Sequence, residues 1–224
     1  MNKVSAVHLR DKKMKSACLA CGIVTMVLVI FACPGFAKGP FYPEKLPDGL
    51  NLSVPRDWKT ANQEFLKMLQ ERTEKSAKAA GKSVSDQVIF LSKSPATPEA
   101  TVMVIVDSKA SGPDQNKLAG WGTTELSMAD SEIRFSDEMT CRQSGFKLLQ
   151  WFTLKLEKLA GKNVLVEEFM FEQPNGQKIH TRTYMLPWNG KLIRLKFSWP
   201  LEREAVESAN AEKILATFCL PAQQ

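Results

Sequence analysis

The last third of the chain has a repeating pattern that predicts an antiparallel sheet. Apolar and polar side chains alternate through most of residues 146–199, which is the period of a strand with one buried face. Two turn signals divide this segment. Pro-Asn-Gly at 174–176 supplies the backbone angles of a tight turn, and Asn-Gly at 189–190 supplies the left-handed residues that hairpins favour. The segment therefore predicts a meander of four antiparallel strands.

Three-residue loops at both turns give a strand register that can be compared with side-chain chemistry. Across the first turn, this register sets Glu168 opposite Arg182 and Phe171 opposite Ile179. Opposite charges and apolar pairs both stabilise neighbouring antiparallel strands. The chemistry of the first hairpin therefore favours this register.

Across the second turn, the same loop length sets Arg182 opposite Lys196 and Tyr184 opposite Arg194. A two-residue loop would set Arg182 opposite Phe197 instead, so the cross-strand chemistry favours three residues. This register predicts an exposed, net basic face that either docks an acidic partner or only keeps the sheet soluble. The residues of this predicted docking face are Glu168, Arg182, Tyr184, Arg194 and Lys196.

The remaining segments alternate between strand and helix signals. A capping-box spacing predicts a helix from about Thr60 to Ala80, and two β-branched apolar runs predict buried strands. The predicted elements are a strand at 50–54, the helix at 60–80, strands at 88–91 and 102–106, one main helix within 113–142, the meander, and a closing helix at 200–218. This order predicts an α+β fold with a mainly antiparallel sheet.

Two segments resemble the PsbP-like family, which is named for an extrinsic protein of photosystem II. Leu-Ser-Val-Pro-Arg-Asp-Trp at 52–58 is similar to the strand, proline and aromatic residue near the family's mature start. Asn-Gly-Lys-Leu-Ile-Arg-Leu at 189–195, followed by the amphipathic segment 209–218, is similar to its closing strand and helix. The middle of the chain agrees in element order. The resemblance implies an α-β-α sandwich, no enzymatic activity, and a role in binding or assembling a larger complex.

The amino end has the pattern of a secretory signal peptide. Basic residues dominate residues 1–15, an apolar run follows at 17–33, and small residues precede a cleavage position after Ala37. We therefore expect residues 1–37 to be a signal peptide. Residues 38–224 are long enough for one globular domain, which we expect in the periplasm or outside the cell.

Three alternatives to this leader remain open. The apolar run is close to the shortest length that spans a bilayer, so an uncleaved leader would anchor the protein in the membrane. Ile-Phe-Ala-Cys at 30–33 resembles a lipobox, in which Cys33 would carry a lipid. A start at Met14 would shorten the leader without changing its destination.

Most of the net charge lies in the leader. The whole chain has 30 basic and 24 acidic residues, and the leader holds five and one of them, which leaves a net charge of +2 on residues 38–224. Such a nearly neutral domain does not suggest a nucleic-acid partner. Two cysteines, Cys141 and Cys219, remain outside the leader. In an oxidising compartment they favour one disulfide, and two buried free thiols are the alternative.

The domain has few of the residues on which common catalytic and metal sites depend. Its one histidine, His180, follows Ile179 in the meander, and we expect it to be a solvated residue of the charged face. A nucleophile pair of Cys141 and His180 is the catalytic alternative. No HExxH occurs, and no CxxC occurs outside the leader, so no metal or cofactor is expected.

These observations together predict an exported, non-enzymatic protein of the cell envelope that binds a protein or another envelope component. Peripheral association with a membrane is compatible with this reading. Two alternatives stay open, a hydrolase-like enzyme with an unrecognised site and a membrane-anchored structural subunit.

Overall fold

A seven-stranded antiparallel sheet lies at the centre of the protein. The computed structural model describes residues 41–79, 84–110 and 112–221, so the leader and its alternatives lie outside the described residues. The strands are β1 (Phe41–Lys45), β2 (Asn51–Pro55), β3 (Lys59–Thr60), β4 (Asp86–Lys93), β5 (Thr101–Asp107), β6 (Lys147–Leu159), β7 (Lys162–Glu172), β8 (Lys178–Trp188) and β9 (Lys191–Pro200). The helices are α1 (Gln63–Ala79), α2 (Gln115–Ala119), α3 (Thr123–Gln143) and α4 (Glu204–Ala216).

The sheet order places the meander on one side and the earlier strands on the other. The order is β3-β4-β5-β9-β8-β7-β6, and β1 and β2 form a separate pair. Strands β6 to β9 are the predicted four-strand meander, which is confirmed, and α4 is the predicted closing helix. Because each connection in the meander is short, consecutive strands are neighbours, and β6 becomes an edge of the sheet.

Helices and the β1–β2 pair cover both faces of the sheet. On one face, called here the α4 face, Leu52 of β2 and Ile214 of α4 pack on Val104 and Leu195. On the other face, the α1/α3 face, Leu66 and Leu69 of α1 pack on β4 and β5, and α3 packs beside β6. The α+β fold and the sandwich that the PsbP-like resemblance implied are therefore confirmed. Among the described helices, none is both long and apolar enough to cross a bilayer.

The first hairpin has the predicted register, and the second does not. Glu168 lies opposite Arg182 as expected. At the second turn, however, Trp188 pairs with Lys191, so the loop is Asn189-Gly190 alone, and Arg182 lies opposite Phe197. The two loop residues have φ of 49° and 73°, which a two-residue hairpin turn of this type requires. The prediction of a three-residue loop is wrong.

Helix α1 begins later than its sequence signal indicated. Thr60 belongs to β3, where its hydroxyl donates to a carboxylate oxygen of Glu44 at 2.9 Å. The side chain of Asn62 caps the helix instead, because its Oδ1 accepts the Phe65 amide at 2.9 Å. Pairing of β3 with β4 holds residues 59–60 extended, so the predicted capping box at Thr60 is wrong.

Candidate functional site

The five residues of the predicted docking face lie on two different faces of the sheet. Glu168, Arg182 and Tyr184 are on the α4 face, whereas Arg194 and Lys196 are on the α1/α3 face. The cause is the shorter turn, because a shift of one residue in register moves every side chain of a strand to the opposite face. All but Arg182 are buried, so these residues do not form one exposed surface.

On the α4 face, Glu168 and Arg182 belong to a connected set of polar side chains. The Arg182 Nη2 donates to Glu168 Oε1 at 2.8 Å, and His180 Nε2 lies 2.9 Å from the same oxygen. The other ring nitrogen, Nδ1, lies 2.9 Å from Oε2 of Glu204, which also accepts the Trp199 indole N–H at 2.6 Å. We call these five residues the histidine network. It joins β7, β8 and β9 to the first turn of α4.

His180 is enclosed rather than solvated. Its ring lies between the rings of Phe152 and Trp199, with centroid distances of 5.7 Å and 4.7 Å. Both of its nitrogens already contact carboxylates. The prediction of a solvated histidine is wrong, because α4 starts just after β9 and brings Glu204 over this part of the sheet. Glu204 was missed since a sequence pattern shows that a helix begins there, but not which strand it covers.

The network favours its charged forms. Burial by itself raises the pKa of Glu168, but hydrogen bonds from His180 and Arg182 outweigh burial and lower it to about 2. Burial likewise lowers the pKa of His180, and the hydrogen bonds to Glu168 and Glu204 outweigh that effect and raise it above the usual value. Both shifts favour a protonated imidazole between two carboxylates, which suits a link between α4 and the sheet.

On the α1/α3 face, the two remaining cations, Arg194 and Lys196, are buried within the protein. Arg194 of β9 forms a buried ion pair with Asp86 of β4. Lys196 lies opposite Thr183 in the middle of the sheet, and both are buried. The Arg194 ion pair links β9 to β4, and neither cation reaches an open surface.

The cysteines do not form the expected disulfide, and both are free thiols. Cys141, near the end of α3, is buried beside Phe171 and Ile179 on the α1/α3 face. Cys219 is exposed and pairs with Asn51 beyond α4, on the other side of the sheet. Because Ile179 and His180 are consecutive in β8, they point to opposite faces, so the sheet also separates Cys141 from His180.

An open groove of about 400 Å³ lies between α3 and the edge strand β6. One of its walls is the six consecutive residues 146–151. A cavity over one face of a strand would contact only alternate residues, so this groove follows the open edge of β6. The opposite wall carries Arg134, Glu138 and Arg142, whose spacing of four places them on one side of α3. We call this cavity the edge groove.

The edge groove has an aromatic floor and a basic rim. Phe146 stacks on Phe171 with centroids 5.2 Å apart, and Trp151 stacks on Phe169 at 5.8 Å. These contacts fix the floor in place. Three cations and one carboxylate line the groove, and that carboxylate, on Glu138, accepts from Arg134 at 2.9 Å. Within the part of the chain that the structure describes, no ion pair engages the other two cations, Arg142 and Lys147.

Beside the groove, the outer face of α3 carries exposed apolar side chains. Met128 is 60% exposed, Phe135 67% and Met139 39%. Intervals of seven and four residues place all three on one side of the helix. Ala129 and Ile133 lie on its inner side and pack toward the sheet. We call the three exposed residues the α3 ridge. The α3 ridge could not be recognised in the sequence, because apolar residues on both sides of a helix do not show which side is covered.

For metal chemistry, residues 41–79, 84–110 and 112–221 contain no group of three or more His, Cys, Asp or Glu side chains that could hold an ion. The histidine network has the residue types for such a site, but its groups are paired with one another.

Comparison with known proteins gave matches only among solved structures. No family model and no curated protein matched the chain. The solution structure of cyanobacterial PsbP (CyanoP) from Synechocystis sp. PCC 6803 is 16% identical over 86% of this chain and 99% of that chain, with a TM-score of 0.52. LpqN of Mycobacterium tuberculosis, described as involved in cell envelope biogenesis, is 13% identical over 84% and 90% of the two chains, with a TM-score of 0.46. The similarity to CyanoP confirms the predicted resemblance at the level of the fold, and the chain has a PsbP-like α+β fold.

Proposed function

We propose that this chain is a non-catalytic binding or assembly module. Its amino-terminal leader exports it across a membrane, and it functions in the periplasm or outside the cell. The leader supports the location, and the arrangement of the side chains supports the role. We infer that a protein partner docks on the α3 ridge and the neighbouring edge groove.

The α3 ridge is the observation that carries this proposal. Met128, Phe135 and Met139 form an exposed apolar stripe along one side of α3, and two of them are more than half exposed. Such a stripe contributes little to the stability of the isolated chain and marks an interaction surface. Methionine and aromatic residues are enriched in protein interfaces. A partner would remove these side chains from water.

The groups with the greatest potential for catalysis are already occupied. Both nitrogens of His180 contact carboxylates, and the rings of Phe152 and Trp199 pack against its imidazole. Burial raises the pKa of the Cys141 thiol to about 11, which keeps it protonated and weakly nucleophilic. This arrangement favours a binding role over the hydrolase alternative.

A photo-cross-linking residue at Phe135 tests the docking surface. The full chain, with its own leader, would be expressed in its native cells with the cross-linker at that position. We expect a discrete adduct, because a bound partner lies within reach of the ridge. Met128→Gln together with Met139→Gln should reduce the yield of that adduct.

Val206 provides a matched control, because it is an apolar residue of α4 that is 56% exposed. The same cross-linker at Val206 should not give the adduct. Identical adducts from both positions, or none from Phe135, would contradict the docking role. Recovery of the protein in the cytoplasmic fraction would contradict its export.

A further inference from the structure

We infer that the edge groove binds an extended acidic peptide, which adds to β6 as an eighth strand of the central sheet. This inference rests on the binding role proposed above and names the chemistry of the partner. It depends on the open edge of β6, on the shape of the groove and on the charge of its rim.

The edge of β6 has unoccupied space along its first half only. β6 is the last strand of the sheet and pairs with β7 on one side. Further along the edge, Oδ1 of Asp130 on α3 accepts the Leu154 amide at 2.7 Å and the Trp151 indole N–H at 2.9 Å. The pairing of β6 with β7 has register shifts in both halves, between Leu148 and Gln150 and between Phe152 and Lys155. Because Asp130 occupies the later half, the edge open to another strand is near residues 147–150, on either side of the first shift.

The groove has the shape that strand addition requires. Its walls are one side of α3 and a run of consecutive β6 residues. In a groove between a helix and an edge strand, backbone hydrogen bonds hold an extended peptide, and pockets receive alternate side chains. Leu148 and Trp151 in the floor offer apolar contact to the side chains that point inward.

The rim selects the charge of the peptide. Arg134 is paired with Glu138, whereas Arg142 and Lys147 are exposed on the two walls of the groove, and Lys147 lies opposite Glu172 of β7 in the sheet. Arginine and lysine bind carboxylates through charge-assisted hydrogen bonds. Successive side chains of an extended chain point to opposite sides. The ligand that fits is thus a segment in which acidic and apolar residues alternate.

A labelled peptide of three Asp-Val repeats tests the inference by fluorescence anisotropy with the full chain purified from the cell envelope. We expect saturable binding, and binding about tenfold weaker for a peptide of three Lys-Val repeats. A copy of the Asp-Val peptide with alternate amides methylated should lose binding, because methylation removes the donors that pair with a strand edge.

Two double variants separate the rim from the overall charge of the protein. Arg142→Glu with Lys147→Glu should weaken binding of the Asp-Val peptide about tenfold or more. Lys178→Glu with Lys213→Glu makes the same change in net charge at exposed positions of β8 and α4 and should leave binding unchanged. Hydrogen exchange should slow at residues 147–150 in the complex and stay the same in β3.

Several results would overturn the inference. These are no binding at millimolar peptide, equal binding of the Lys-Val peptide, no effect of the rim variant, or slowed exchange elsewhere. A dimer of the protein with slowed exchange at 147–150 in the absence of peptide would identify the occupant as a second copy, which also contradicts it. If a partner cross-links to Phe135 while these peptide tests fail, the binding role stands and only strand addition is wrong.

Discussion

The carboxylate of Glu168 interacts with basic side chains from the two neighbouring strands, β6 and β8. Arg182 and His180 donate to one of its oxygens, and Nζ of Lys155 lies 3.9 Å from the other. On the far side of the imidazole, Glu204 connects the same network to α4. A buried charge of this kind is costly unless it is paired, so each member depends on the others. The network therefore ties the docking of α4 to the protonation of its groups.

The pKa values of the network predict a stability maximum in mildly acidic solution. The pKa of Glu168 falls from 4.5 to about 2 on folding, so its contribution is complete above 4.5 and is lost as the pH falls towards 2. The pKa of His180 rises from 6.5, so its contribution is complete below 6.5 and is lost as the pH rises above that value. We expect the free energy of unfolding in urea to be largest between about pH 4.5 and 6.5 and to decline as the pH rises above 6.5.

Two variants test whether His180 causes that decline. His180→Gln should flatten the stability profile above pH 6.5, because no imidazolium remains to lose its proton. Glu204→Gln keeps the histidine but removes one of its carboxylates, and should move the decline to lower pH. If both variants keep the pH dependence of the unchanged protein, groups other than His180 cause the loss of stability above pH 6.5.

At the scale of elements, alternation of side chains predicted the strands of the meander but not how they are aligned at the second turn. Charged side chains in an alternating strand are expected to mark an outer face of the sheet. Because helices cover both faces, Lys196 and Arg194 lie inside the protein, and their charge does not show which way they point. The edge groove also could not be predicted from the sequence, because it depends on the position of β6 at the edge of the sheet and on the packing of α3 beside it.

The Asn189-Gly190 turn can be tested by two matched glycine substitutions. Gly190 has φ of 73°, whereas Gly112 has no positive φ, and a Cβ added at either meets nothing within 4 Å. Gly190→Ala should destabilise the protein by about 1 to 2 kcal/mol, because an L-residue is strained in the left-handed region. Gly112→Ala should change the free energy of unfolding in urea by less than about 1 kcal/mol. Equal effects would argue against the two-residue turn.

At the scale of the whole molecule, the central sheet separates the residues on its α4 face from the residues on its α1/α3 face. Cys141 is buried on the inner side of α3, and Cys219 lies beyond α4 next to β2. The α3 ridge and edge groove are therefore on the side opposite the histidine network. Binding at the groove and docking of α4 use different faces, so a variant in one should leave the other intact.

The two thiols report this separation directly. In the folded protein, maleimide should label Cys219, which is exposed, and leave Cys141 unlabelled, because it is buried and its pKa is raised to about 11. Peptide mapping distinguishes these sites from Cys18, Cys21 and Cys33. Unfolding in urea should expose Cys141 to the reagent, and a reductant should leave the unfolding midpoint unchanged, since no bond joins the two thiols. A Cys141–Cys219 peptide in a non-reduced digest, with a midpoint that falls on reduction, would instead require the two sides of the sheet to meet at these residues.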